Sequence, residues 1–156
     1  MGPPETQGES LINIESVELR EIHLPLVHYF ETSFGRTCVR KVILLTVRAS
    51  DGVGYGECTA AEDPLYNDET TETAWHILSD FIIPRVLGKS LERAEEAAAL
   101  LNPIRGNRMA KAALETTLWD LEARRSDLPL WRHLGGVHAE IACGVSIGIR
   151  ESIDAL

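Results

Sequence analysis

Gly106-Asn107-Arg108-Met109-Ala110-Lys111-Ala112-Ala113-Leu114-Glu115-Thr116-Thr117-Leu118-Trp119-Asp120-Leu121-Glu122-Ala123-Arg124 is the stretch whose reading decides the fold. It reads as one long helix, followed by a short helix and a double-glycine exit at Gly135-Gly136. On a helical wheel, Arg108, Lys111, Glu115, Glu122 and Arg125 share one arc of roughly a hundred degrees. Met109, Ala110, Ala113, Leu114, Thr117 and Leu121, with Ala112, Thr116 and Ala123 beside them, make the rest apolar or small. A helix with so narrow a polar face must be covered on more than one side. Asp120 is a carboxylate inside the apolar arc and reads as a hydrogen-bonded structural acid, not a base.

The chain has 156 residues, enough for one good core or for one domain and part of another. Its 44% hydrophobic and 25% charged residues are ordinary for a soluble globular protein. A formal charge of −9 argues against nucleic acid as a partner, since phosphate binding needs clustered Lys and Arg. Cys38, Cys58 and Cys143 are sparse, odd in number and without Cys-x-x-Cys spacing, which predicts reduced thiols in a cytoplasm. Met1 to Ser10 has neither a basic start nor an apolar segment, so residues 1–11 are expected to be a disordered tail, not a signal peptide. No run approaches the roughly twenty apolar residues of a membrane span, and no membrane partner is expected.

Ahead of the long helix, apolar residues alternate with slips in phase: Ile12 and Ile14, Val17 and Leu19, Ile22 and Leu24. They predict a first strand over Asn13–Leu24 with a bulge or bend, ended by Pro25. Val27 to Thr37 reads as a loop in which Phe30 and Phe34 are either tucked under the chain or held over a ligand, tucking being favoured. Val42 to Val47 is a β-branched run typical of a buried strand, and Ser50-Asp51-Gly52 is a turn. Val53 to Glu57 resumes the extended pattern, completing an antiparallel meander. Gly54 and Gly56 lie on one side of that third strand, so something packs closely there.

Cys58 to Asn67 has no period and reads as a second loop. A helix is expected from about Asp68, with Ala74, Ile77, Leu78, Phe81 and Ile82 at helical spacing and Pro84 and Gly88 closing it. Asp68, Glu69 and Glu72 would be solvated partners of its dipole. Ser90 is the expected N-cap of a helix over Leu91–Leu101, broken by Asn102-Pro103. After the long helix, Leu128 to Leu134 forms the short one, with His133 as a surface or capping histidine. Ile141-Ala142-Cys143-Gly144-Val145-Ser146-Ile147-Gly148-Ile149 is a continuous apolar run of the kind covered on both faces in parallel sheets. It has no parallel partner in this sequence, which predicts an incomplete chain.

No dinucleotide fingerprint, phosphate loop, His-Glu-x-x-His or nucleophile elbow is present, and the five histidines are scattered. The residues alone describe an α+β domain with a possible ligand rim and no catalytic machinery.

Pro25-Leu26 with Thr32-Ser33-Phe34-Gly35, Gly54-Tyr55-Gly56-Glu57-Cys58, Pro64-Leu65-Tyr66, Arg108-Met109-Ala110-Lys111 with Ala113-Leu114-Glu115, and Cys143 to Ile149 form an ordered set. Together they resemble the N-terminal part of the enolase superfamily, in its muconate-lactonising branch. The closest resemblance is to the o-succinylbenzoate synthase and N-acylamino acid racemase group. The resemblance implies an enolase-type capping domain over 12–136 and the first β/α unit of a TIM-type barrel over 137–156. It also implies Mg²⁺-dependent abstraction of the proton α to a carboxylate, as in dehydration for menaquinone synthesis or in racemisation.

In that branch the lysine bases and metal carboxylates lie on later barrel strands, so this chain is expected to hold no catalytic or metal-binding residue and to be inactive alone. The substrate, a small carboxylate, would meet Phe30, Thr32, Ala61, Tyr66 and Ser146. The small Ala61 and the acidic Glu62 and Asp63 depart from the relatives' pattern, which bears on acyl-group preference. The remainder of the barrel is the implied partner, and the full-length protein a homo-oligomer. A dipeptide epimerase or muconate cycloisomerase is the alternative within the branch, and a stand-alone interaction module is the alternative outside it.

Overall fold

The computed structural model describes residues 11–33, 35–146, 148 and 152–155. Most of the expected tail, together with Phe34, Ile147, Ile149 and Arg150, therefore lies outside the described residues. A four-stranded sheet of order β3-β2-β1-β4 comprises β1 (Ile12–Thr32), β2 (Gly35–Ala49), β3 (Gly52–Cys58) and the short β4 (Ser90–Leu91). All of its pairings are antiparallel.

The phase slip near Glu15 is a register shift between Ile14 and Ser16. The strand does not stop at Pro25. It pairs there with Val39, shifts register again before Phe30, and runs on to Thr32. Proline is tolerated because β4 reaches only Ile12 and Asn13, leaving β1 an outer strand at the point where its ladder is already irregular.

A helical run covers 71–86: α1 (Thr71–Ile77), a π turn (Leu78–Ile82) and α2 (Ile83–Val86). It starts at Thr71 rather than Asp68 because Thr70 and Thr73 form a capping box, each side chain accepting from the other's backbone N–H. Pro84 sits inside the run, not at its end. It cannot return an N–H to the preceding turn, and that turn widens to π just before it.

Ser90 is not a helix cap. It pairs with Asn13 in the sheet, and its hydroxyl donates to Asn13 Oδ1 at 2.6 Å. The helix expected from Leu91 begins with a 3₁₀ turn at Ala94–Glu96 and continues as α3 (Ala97–Leu101). The Ala94 N–H is accepted by Glu122 Oε2 at 2.6 Å, so the cap comes from 28 residues downstream.

The long helix α4 (Arg108–Arg125) lies on β3 and β2, as the glycines anticipated. A Cβ on Gly54 would overlap the Thr117 carbonyl oxygen and lie 2.7 Å from Leu121 Cβ; one on Gly56 would lie 2.8 Å from the Ala113 carbonyl oxygen. Only glycine lets the helix backbone approach the strand so closely. Ala110, Ala113, Leu114, Thr117, Leu118 and Leu121 are buried against Ile43, Leu45 and Val47 of β2 and the helices beside them.

Asp120 is bonded as expected, but its partners belong to β3 and to α4 itself. Its Oδ2 accepts from the Tyr55 N–H at 2.8 Å and from Arg124 Nε at 2.7 Å. Much of the polar arc is also committed inside the chain. Lys111 Nζ donates to the Ile104 carbonyl at 3.0 Å, and Arg125 pairs with Asp51 at 2.9 Å. Glu122 is largely buried beside His133 of α5 (Leu130–His133), with 3.3 Å between carboxylate and imidazole. His133 is therefore not a surface residue.

The start of α4 corrects the reading of Glu69. Asn107 is left-handed (φ 49) and makes no side-chain cap. Instead Glu69, 5% exposed, accepts from the Met109 N–H at 2.8 Å and from the Ala110 N–H at 3.1 Å. It is a buried cap on a remote helix, where its charge meets the positive end of the dipole.

Of the buried strand expected over Ile141–Ile149, the described residues 141–146 form none. Residues 141–146 have no regular structure, and Ile141 and Val145 are 80% and 90% exposed. An isolated strand gains no ladder bonds, and residues 141–146 are not among the paired strands of the described sheet.

Candidate functional site

Two arms leave the same end of the sheet. β1 and β2 rise together into a hairpin whose last pairs are Phe30↔Thr37, Glu31↔Arg36 and Thr32↔Gly35. β3 runs in the direction of β1 and ends at Cys58, opposite Ile43; the second arm, 59–70, starts there. Its root is fastened to the hairpin's neck, where the Arg40 guanidinium donates to the Thr59 carbonyl at 2.7 Å.

The first arm is more ordered than the irregular loop expected over Val27–Thr37. Cross-strand chemistry holds it: Arg36 Nε is 2.8 Å from Glu31 Oε1, and its guanidinium lies over the Tyr29 ring at 4.3 Å. Phe30 is 62% exposed, so it is not tucked. Thr32 is partly buried at the hairpin end, with its hydroxyl 3.5 Å from the Gly35 carbonyl.

The second arm is closed at its base and open at its tip. Ala61 bridges Thr70, the Thr71 N–H donates to the Ala61 carbonyl at 2.8 Å, and the Thr71 hydroxyl donates to the Ala60 carbonyl at 3.0 Å. Beyond this clamp Leu65 and Tyr66 are 59% and 88% exposed. Cys58, at the root, is 2% exposed, and burial pushes its thiol pKa up.

Phe30, Thr32, Ala61 and Tyr66 are thus carried on two arms of one sheet end. Ser146 is not joined to them: it is exposed in the irregular segment. A shallow open depression lined by Asn13, Ile14, Leu87, Gly88 and Ser90 lies at the opposite end of β1. Among the described residues there is no group of three or more His, Cys, Asp or Glu side chains that could hold a metal ion. No helix is long and apolar enough to cross a membrane among the same residues.

The Glu21, Lys41 and Glu62 cluster between the arms was not anticipated. Its signal was available: Lys41 stands in alternation with Ile43, Leu45 and Val47, at a position the pattern reserves for an apolar side chain.

An antiparallel sheet followed by helices, with two arms at one end of the sheet, is the architecture of a capping domain. Residues 15–135 match the family described as mandelate racemase / muconate lactonizing enzyme, N-terminal domain, and the chain belongs to that family. It is 45% identical over 143 residues to an o-succinylbenzoate synthase of Geobacillus stearothermophilus, covering 91% of this chain and 38% of that protein. It is 43% identical over 143 residues to an N-succinylamino acid racemase of Thermus thermophilus, covering 92% and 39%. A crystal structure of an enolase superfamily member from Listeria innocua superposes with a TM-score of 0.86 at 30% identity, covering 92% of this chain and 39% of that one. The chain spans about two fifths of the length of the relatives it matches.

Proposed function

We propose that this chain is the substrate-capping part of a Mg²⁺-dependent enzyme that removes the proton α to a carboxylate. The reading is an o-succinylbenzoate synthase, an N-succinylamino acid racemase, or both. The observation that carries it is the pair of arms at one sheet end, in a chain similar at 45% and 43% identity to proteins of those two names. When bound, the metal would stabilise the charge that develops on the substrate carboxylate. Its ligands and the base would come from residues other than these.

The residues of this chain bind, orient and exclude water. Phe30 and Tyr66 supply apolar cover from opposite arms, Thr32 a hydroxyl at the hairpin end, and Ala61 a small side chain that leaves room for an acyl group. Ser146 would join them once the segment around it is covered. Exposed Val137, Ile141 and Val145 support such a cover by a barrel. A small-molecule carboxylate, a cytoplasmic setting and a homo-oligomeric whole protein complete the proposal.

The test is kinetic. In the protein that carries this chain together with its barrel, Mg²⁺-dependent racemisation or dehydration is followed for wild type, Phe30→Ala and Tyr66→Ala. Each substitution is expected to raise KM by about tenfold while lowering kcat less. An unchanged KM in both variants would remove the two arms from substrate binding.

A further inference from the structure

Lys41 extends the core-facing row of β2. Ala49, Val47, Leu45 and Ile43 alternate on that face and are buried. Two residues further the row meets a charge, yet the Lys41 side chain is only 22% exposed. His23 stands opposite Lys41 in the ladder, and Glu21 opposite Ile43. Residues directly opposite in an antiparallel pair share a face. The helix-facing side of the sheet therefore turns from apolar to ionic where the two arms emerge.

The ammonium joins three segments. Lys41 Nζ lies 3.4 Å from Glu62 Oε2 on the second arm and 3.9 Å from Glu21 Oε1 on β1. Glu21 Oε1 is in turn 2.7 Å from His23 Nε2. The hydrogen bond to Glu62 and then the charge of Glu21 push the Lys41 pKa above its usual value. The hydrogen bond from His23 pulls the Glu21 carboxyl below its own. Glu62 follows the clamped Ala61 and precedes the exposed tip at Leu65 and Tyr66, so a hold on Glu62 is a hold on the tip.

We propose that Lys41 is a positioning residue that clasps the second arm to the sheet through Glu62 and so sets where Leu65 and Tyr66 stand relative to the hairpin. The assignment deepens, and rests on, the reading of the two arms as a substrate rim. A half-covered ion pair contributes modestly. Such a clasp biases the position of a loop without deciding whether the domain folds, as a specificity element requires.

Limited chymotrypsin digestion of the 156-residue chain tests it, with fragments assigned by mass. Lys41→Met should speed cleavage after Leu65 and Tyr66 by about threefold to fivefold, because nicking needs the loop to open. Cleavage after Tyr29 and Phe30 on the other arm should keep its rate, and Lys41→Arg should stay within about twofold of wild type. Glu62→Gln, which alters no strand residue, should reproduce the faster tip cleavage. Unchanged tip cleavage in Glu62→Gln, or equal loosening by Lys41→Arg and Lys41→Met, would overturn the proposal. Cleavage is read without turnover, so its failure leaves the enzymatic reading standing, and a failed activity assay leaves the clasp standing.

Discussion

Gly54 shows how a single residue fixes the spacing of two layers. A methyl group there would meet the Thr117 carbonyl oxygen, Leu121 Cβ at 2.7 Å and Leu121 N at 2.9 Å. Two of these three are helix backbone, which cannot swing aside as a side-chain end can. Gly54→Ala is therefore expected to cost about 3 kcal/mol or more in urea unfolding, by forcing α4 off the sheet. A loss under about 1 kcal/mol would mean the helix has slack that the packed geometry does not show. The glycine spacing announced this contact in the sequence, because two glycines on one face of a strand leave a gap that something must fill. Phe30 was not legible in the same way. An aromatic without a period can be core or rim, and the cross-strand pairs that lift it into solvent come from Glu31 and Arg36 closing a hairpin whose register skips after Pro25.

At the scale of elements, helix ends in this chain are satisfied from a distance. Glu69 caps α4, and Glu122 accepts the Ala94 N–H at the start of the 94–101 helical run. Local signals such as Ser90 and the acidic run at 68–72 pointed to nearby caps, and both readings yielded to partners 28 to 41 residues away. Sequence patterns report contacts within a turn or two, whereas a carboxylate brought in by tertiary packing leaves no local trace. The meander, by contrast, was legible because alternation and turn residues are local. Its hairpin arm was under-read because Pro25 normally ends a strand, and here sits where a ladder is already irregular. Glu69→Ala leaves the buried Ala110 N–H and the part-buried Met109 N–H without their acceptor and removes the carboxylate from the dipole's positive end. It is expected to lower unfolding stability by about 1–2 kcal/mol. A change within about 0.3 kcal/mol would show that water replaces the carboxylate without cost.

At the scale of the whole molecule, the buried core is complete around α4 while the segment after it is not. The core gathers β1–β3, the helical run and α4, from Ile12 to Leu121. From Leu128 onward the large apolar residues Leu130, Trp131, Leu134, Val137, Ile141 and Val145 are exposed. The apolar run at 141–149 has the pattern of a strand covered on both faces, and residues 141–146 form none in this chain. Those two facts agree physically: residues suited to a buried parallel strand stay irregular until neighbours supply ladder bonds and cover. The long helix is thus the floor of the capping layer, and under the function proposed above the base and the metal ligands would come from residues outside it. Polarimetry of an N-succinylamino acid incubated with the purified 156-residue chain and Mg²⁺ tests that claim most directly. The account predicts no loss of optical rotation above the uncatalysed rate. Mg²⁺-dependent racemisation by this chain alone would contradict it.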